Sequence, residues 1–131
     1  LLPASALADP ALADGLRRAG WEVEQVAAYT TVTAEAHDLP PDLEHRWATG
    51  GVDAVVLTAP STTRAVLELL GPPPQGTGLV AIGATTAAAT RELGLTVAAV
   101  APSPTPEGVL QATIDAIRAT AGPTPPPQEP P

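Results

Sequence analysis

The chain has 131 residues, the size of one ordinary domain. Its 14 acidic side chains outweigh 6 basic ones, all arginine, for a formal net charge of −8, which argues against the broad basic face a general nucleic-acid partner needs. With no cysteine there is no disulfide, thiolate metal site or cysteine nucleophile, and a reducing, cytoplasmic setting is expected. No apolar stretch approaches the ~20 residues that span a bilayer, so no membrane partner is expected. The start at Leu1 has neither a Met nor the basic and apolar regions of a signal peptide, and a piece upstream is expected to be missing. Hydrophobic residues make up 44%, but alanine dominates them and Trp21, Tyr29 and Trp47 are the aromatics. At roughly 25 cal/mol per Å² such small side chains predict modest stability for an isolated fragment.

Helices and short apolar strands alternate along the chain. Leu1-Leu2-Pro3 reads as the end of a strand. Asp9 as N-cap and Pro10 at the first helical position open a helix that stops at Gly20. Residues 21–28 read as a strand with imperfect alternation, and 30–41 as a connector. A helix is predicted over about 41–49, then a continuous apolar strand over 53–58 of the kind buried on both faces of a parallel sheet. Pro60-Ser61-Thr62 starts the next helix, which Gly71 stops, and 72–78 is a loop. Residues 79–82 read as a strand, 86–93 as a helix closed by Gly94, 96–100 as a strand and 106–121 as the last helix. The Pro-rich segment 122–131 reads as a disordered tail. This alternation predicts an α/β fold, a flavodoxin-like parallel sheet with helices on both faces.

Ligands of open parallel sheets gather beyond the C-terminal strand ends. The turns at 58–63, 83–86 and 103–107 fall there, each joining hydroxyl side chains to a helix start, whose N–H groups and dipole favour carboxylates and phosphates. Together they predict an anion-binding rim. Taken singly, Ser61, Thr85 and Thr105 read as ordinary N-caps. Gly83 follows a strand, but no dinucleotide or Walker pattern follows it. Tyr29, at a strand end, has a phenol able to donate a proton or orient a leaving hydroxyl. His37 and His45 have no metal-ligand spacing and read as surface residues, and Glu107 reads as a first-turn carboxylate that complements the helix dipole. Arg64 and Arg91 follow anion-binding turns and are candidates to reach a ligand carboxylate.

The order of the motifs is more specific than any of them alone. A Leu1-Leu2-Pro3 strand end precedes a helix ending in Ala19-Gly20-Trp21-Glu22-Val23. Then come Val26-Ala-Ala-Tyr29-Thr30-Thr31-Val32, Asp53-Ala-Val-Val-Leu-Thr-Ala-Pro-Ser-Thr62, Ala81-Ile-Gly-Ala-Thr-Thr-Ala87, Glu92-Leu-Gly94 and Ala101-Pro-Ser-Pro-Thr-Pro-Glu-Gly108. This series resembles the middle and C-terminal half of the uroporphyrinogen-III synthases and covers nearly all of the chain before the Pro-rich tail.

The resemblance implies two flavodoxin-like lobes, one inserted into the other, joined by a two-stranded linker, with the active site in the cleft between them. Residues 1–32 would be the end of the inserted lobe with a linker strand, and 33–121 most of the second lobe. The implied reaction closes hydroxymethylbilane, a linear tetrapyrrole, to uroporphyrinogen III. It inverts ring D and loses water, without metal or organic cofactor. Tyr29 would assist departure of the hydroxyl. Ser61, Thr62, Gly83, Thr85 and Thr86 would hold acetate and propionate side chains. Two positions depart from the family pattern: Ala4 stands where many relatives carry a basic residue, and Ala59 where Ser commonly precedes the Pro. The alternative expectation is a non-catalytic, tetrapyrrole- or anion-binding regulatory module of the same fold. Either could be fused to, or tethered beside, another module, and the fragment alone is expected to be inactive.

Overall fold

The first helix begins one residue later than expected, with Pro10 rather than Asp9 at its N-cap, but the turn that leads into it is held by Asp9. Its Oδ1 accepts the Ala11 N–H at 2.8 Å in a computed structural model that describes residues 1–121. This helix, α1 (Ala11–Arg18), ends with Gly20 N–H donating to Arg17 O and Trp21 N–H donating to Leu16 O, both at 3.0 Å. The paired bonds satisfy carbonyls that a helix end leaves free. Strands β1 (Leu2–Ser5) and β2 (Gln25–Tyr29) flank it and pair in parallel. The strand expected from residue 21 begins four residues later, because the Trp21 N–H is committed to closing α1. Ala4 pairs with Ala27 but Ser5 with Tyr29, so Ala28 is an extra residue in β2. Such a bulge bends the strand and re-aims the side chain beyond it. These elements form one compact unit, Leu1–Ala34, and a second unit begins at Glu35. Segment 122–131, expected as a tail, lies outside the described residues.

The second unit opens with a 3-10 turn, Ala36–Asp38, inside the expected connector. It forms because the Glu35 and Asp38 side chains cap each other's backbone. Helix α2 (Leu43–Ala48) follows, then β3 (Ala54–Leu57), α3 (Pro60–Leu70), β4 (Gly78–Ala81), α4 (Ala84–Glu92), β5 (Ala99–Val100) and α5 (Pro106–Thr120). The three strands form one parallel sheet in the order β3-β4-β5. β5 has two residues rather than the expected five: Leu95 N–H closes α4 on Thr90 O, and the ladder bonds start only with Ala98 N–H to Leu79 O at 2.8 Å.

Side-chain alternation assigns the two faces of this sheet. Val56, Val80 and Ala99 are register partners and pack with Ala101, Val109, Ala112 and Ala116. α5 therefore covers this face, and it contacts all three strands. Leu57, Leu79 and Ala81 alternate to the other face and are also buried. That face is left to α3 and α4, which contact β3, β4 and each other. A parallel sheet covered on both faces is the arrangement its continuous apolar strands predict.

Candidate substrate site

The three strand-to-helix turns differ in how their helices begin. α5 starts behind Thr105, whose Oγ1 accepts the Gly108 N–H at 3.2 Å and lies 3.0 Å from Ser103 Oγ. Gly108 is buried, and a Cβ there would strike Ser103, so the turn packs tightly on the helix it caps. α3 instead starts behind Ala59 and α4 behind Gly83, residues with no side-chain acceptor. In α4 the first bond of the helix is Ala87 N–H to Gly83 O at 3.0 Å. The N–H groups of Ala84, Thr85 and Thr86 precede it and have no helical partner. In α3, Pro60 has no N–H and Thr62 N–H turns back to Ala59 O at 3.0 Å. Ser61 and Thr85, expected as N-caps, are each the second residue of their helix. Both helices begin two residues earlier than a cap at those positions requires, so the exposed hydroxyls of both do not close the helix ends.

A concavity of about 450 Å³ lies at the C-terminal ends of β4 and β5, between Gly83–Thr86 and Val100–Pro104. Thr85 is exposed beside it, whereas the Thr86 side chain is only 4% exposed. What Thr86 can offer a ligand is therefore chiefly its N–H. Gly83 is extended, and a Cβ built on it would meet nothing within 4 Å. Packing does not require glycine here, and its bare backbone leaves room for a ligand to approach. Ser61 and Thr62 do not line this concavity. They stand on the adjacent turn, after β3, with Thr62 Oγ1 3.4 Å from Thr58 Oγ1. Because β3 and β4 are neighbours, the two uncapped helix starts share one edge of the sheet. A hydroxyl-rich, donor-rich edge of this kind is suited to carboxylates.

The other candidates fall elsewhere. Tyr29 belongs to the first unit. Its carbonyl accepts the Ala6 N–H at 2.7 Å and its side chain is 63% exposed, with no hydrogen bond to the phenol among the described residues. His37 is exposed and lies 3.3 Å from Glu35 and 3.5 Å from Asp38; His45 is exposed as well. No group of three potential metal ligands exists among the described residues. Arg91 lies in the last turn of α4. That is six residues, or roughly 9 Å of helix, beyond Thr85, so its charge complements the C-terminal dipole rather than the anion-binding start. Arg64 is exposed in the second turn of α3. A second concavity, about 470 Å³, is bordered by Glu44, Trp47, Leu69, Leu70, Pro72 and Pro74. It is slightly larger, but none of the strand-to-helix turns reaches it, and the chemistry favours the concavity beside Gly83.

Residues 1–111 match the family model for uroporphyrinogen-III synthase HemD. The chain belongs to the uroporphyrinogen-III synthase family. A chloroplastic uroporphyrinogen-III synthase of Oryza sativa subsp. japonica is 32% identical over 123 residues, which cover 91% of this chain and 38% of that protein. The crystal structure of uroporphyrinogen-III synthetase from Helicobacter pylori 26695 superposes with a TM-score of 0.64 at 21% identity, over 85% of this chain and 50% of that one. The second likeness establishes the α/β fold. The chain spans at most half the length of these two family members.

The packing beneath the site escaped the sequence reading. Thr63 and Thr90 are buried, and their hydroxyls meet at 3.0 Å between α3 and α4. Thr90 follows three alanines, but Thr63 follows Ser61 and Thr62 and precedes Arg64, so its neighbours in the sequence do not mark it as buried. Neither period nor composition pairs them, because they are 27 residues apart.

Proposed function

We propose that the full-length protein containing this chain is a uroporphyrinogen-III synthase, a cyclising lyase that converts hydroxymethylbilane to uroporphyrinogen III with inversion of ring D and loss of water. The observation that carries this reading is the pair of uncapped helix starts on one sheet edge. Ser61 and Thr62 stand on one, and Gly83, Thr85 and Thr86 on the other. In this reading they grip the acetate and propionate groups of a linear tetrapyrrole through hydroxyls, free N–H groups and helix dipoles. Holding a flexible chain of pyrroles in one conformation supplies most of the rate, through proximity and orientation. Tyr29 assists departure of the hydroxyl as a proton donor. No cofactor enters the scheme. No helix among the described residues is long and apolar enough to cross a membrane, and the cytoplasm is the compartment we propose.

The test is turnover of freshly made hydroxymethylbilane by the full-length protein, with Tyr29→Phe alongside, the product isomers being separated after oxidation. Wild type is expected to give mainly the type III isomer and Tyr29→Phe to shift the product toward the spontaneous type I isomer. Type I alone from wild type would sink the synthase reading and leave a tetrapyrrole- or anion-binding module of the same fold.

A further inference from the structure

The hydroxyl pair beneath the two helix starts has a defined direction. Thr90 Oγ1 lies 2.8 Å from Thr86 O, and a carbonyl can only accept. The one proton of Thr90 is therefore used there, and Thr63 must donate to Thr90 across the 3.0 Å contact. Thr63, Thr90 and Thr86 are respectively 1%, 0% and 4% exposed. The chain of bonds thus runs, away from water, from the first turns of α3 to the carbonyl of a residue at the start of α4. Hydroxyl oxygens approach to 3.0 Å here, whereas carbon atoms of apolar side chains touch at about 3.5–4.0 Å. An apolar pair in this place would hold the helices about 0.5–1 Å further apart.

We propose that Thr63 and Thr90 are positioning residues whose buried hydrogen bond sets the spacing between the two carboxylate-gripping helix starts. The proposal rests on the synthase reading above. Thr63 directly follows Ser61 and Thr62. Thr90 is anchored to Thr86, whose N–H faces the start of α4. A change in the distance between the two oxygens is therefore passed within one helical turn to both sets of ligand donors. A substrate held by several carboxylates at fixed separations is sensitive to that distance, since a misplacement of about 1 Å can cost a hundredfold in rate.

The experiment compares the full-length wild type with Thr63→Val/Thr90→Val and Thr63→Ser/Thr90→Ser in hydroxymethylbilane turnover. Replacing both partners by apolar groups of the same shape is nearly neutral for folding. The valine pair is therefore expected to keep the wild-type melting temperature within a few degrees while kcat/KM falls about 10- to 100-fold, mostly through KM. The serine pair keeps the hydrogen bond and is expected to stay within about threefold of wild type. A valine pair with unchanged KM, or a serine pair as impaired as the valine pair, overturns the proposal. Should the valine pair not fold, Thr63→Ala removes the donor without added bulk, and an unchanged KM in that variant overturns the proposal equally. Failure of the synthase reading shows separately, as wild type that makes no type III isomer. The amide resonances of Ser61, Thr85 and Thr86 then decide. They are expected to move in the valine pair while those of α5 stay in place, and spectra in which they stay put refute the positioning role.

Discussion

The two faces of the β3-β4-β5 sheet are built on different plans. Under α5 the contacts are apolar and close: Val80 and Ala116 are fully buried, Ala112 nearly so, and the helix start is sealed by Thr105 and the packing of Gly108 on Ser103. Under α3 and α4 a polar link, Thr63 to Thr90, replaces an apolar contact, and both helices start without a side-chain cap. One face is arranged for stability. The other leaves donors unsatisfied at the sheet edge, which costs stability locally and makes those donors available to an anionic ligand.

The largest effect expected from this difference lies under α5. Val80→Ala should lower stability by about 2–3 kcal/mol, since it removes buried methyl groups and leaves a cavity that Ala112 and Ala116 are too small to fill. Denaturant midpoints measure it, and a loss below about 1 kcal/mol would show that this face is not the main core. Thr105→Ala comes next, with about 1 kcal/mol lost as the Gly108 N–H loses its acceptor; a neutral result would erase the distinction between the capped helix and the other two. Gly83→Ala is the smallest for stability, about 0.5–1 kcal/mol, because the added methyl meets open space and only the poorer N-cap preference of alanine relative to glycine counts against it. Its effect on tetrapyrrole affinity should nevertheless be large, at least about tenfold, as the methyl enters the space reserved for the ligand. Affinity unchanged in Gly83→Ala would remove that turn from the site.

The first unit makes the same point about burial from the opposite side. Its two-stranded sheet has a single helix, Ala13 is its one buried hydrophobic residue, and Leu12 and Trp21 are exposed. Ala27, Ala28 and Tyr29 are exposed as well. Within its own residues this unit has the secondary structure of a βαβ segment without a two-sided core.

Much was legible in the sequence, because the signals are local. Continuous apolar runs at 54–57 and 78–81 and glycine stops at Gly20, Gly71 and Gly94 require only short-range sterics and burial. The motifs around Tyr29, Ser61 and Thr85-Thr86 carried the family resemblance for the same reason, as short runs in a fixed order. Helix starts were less legible: a hydroxyl near a helix start can be a cap or a first-turn residue, and a shift of two residues exchanges the roles, as happened at Ser61 and Thr85. The length of β5, the bulge at Ala28 and the Thr63–Thr90 bond were decided by tertiary structure. Each depends on which backbone or hydroxyl a distant segment brings within hydrogen-bonding distance, and that distance is a property of the packed sheet and helices rather than of any stretch of chain.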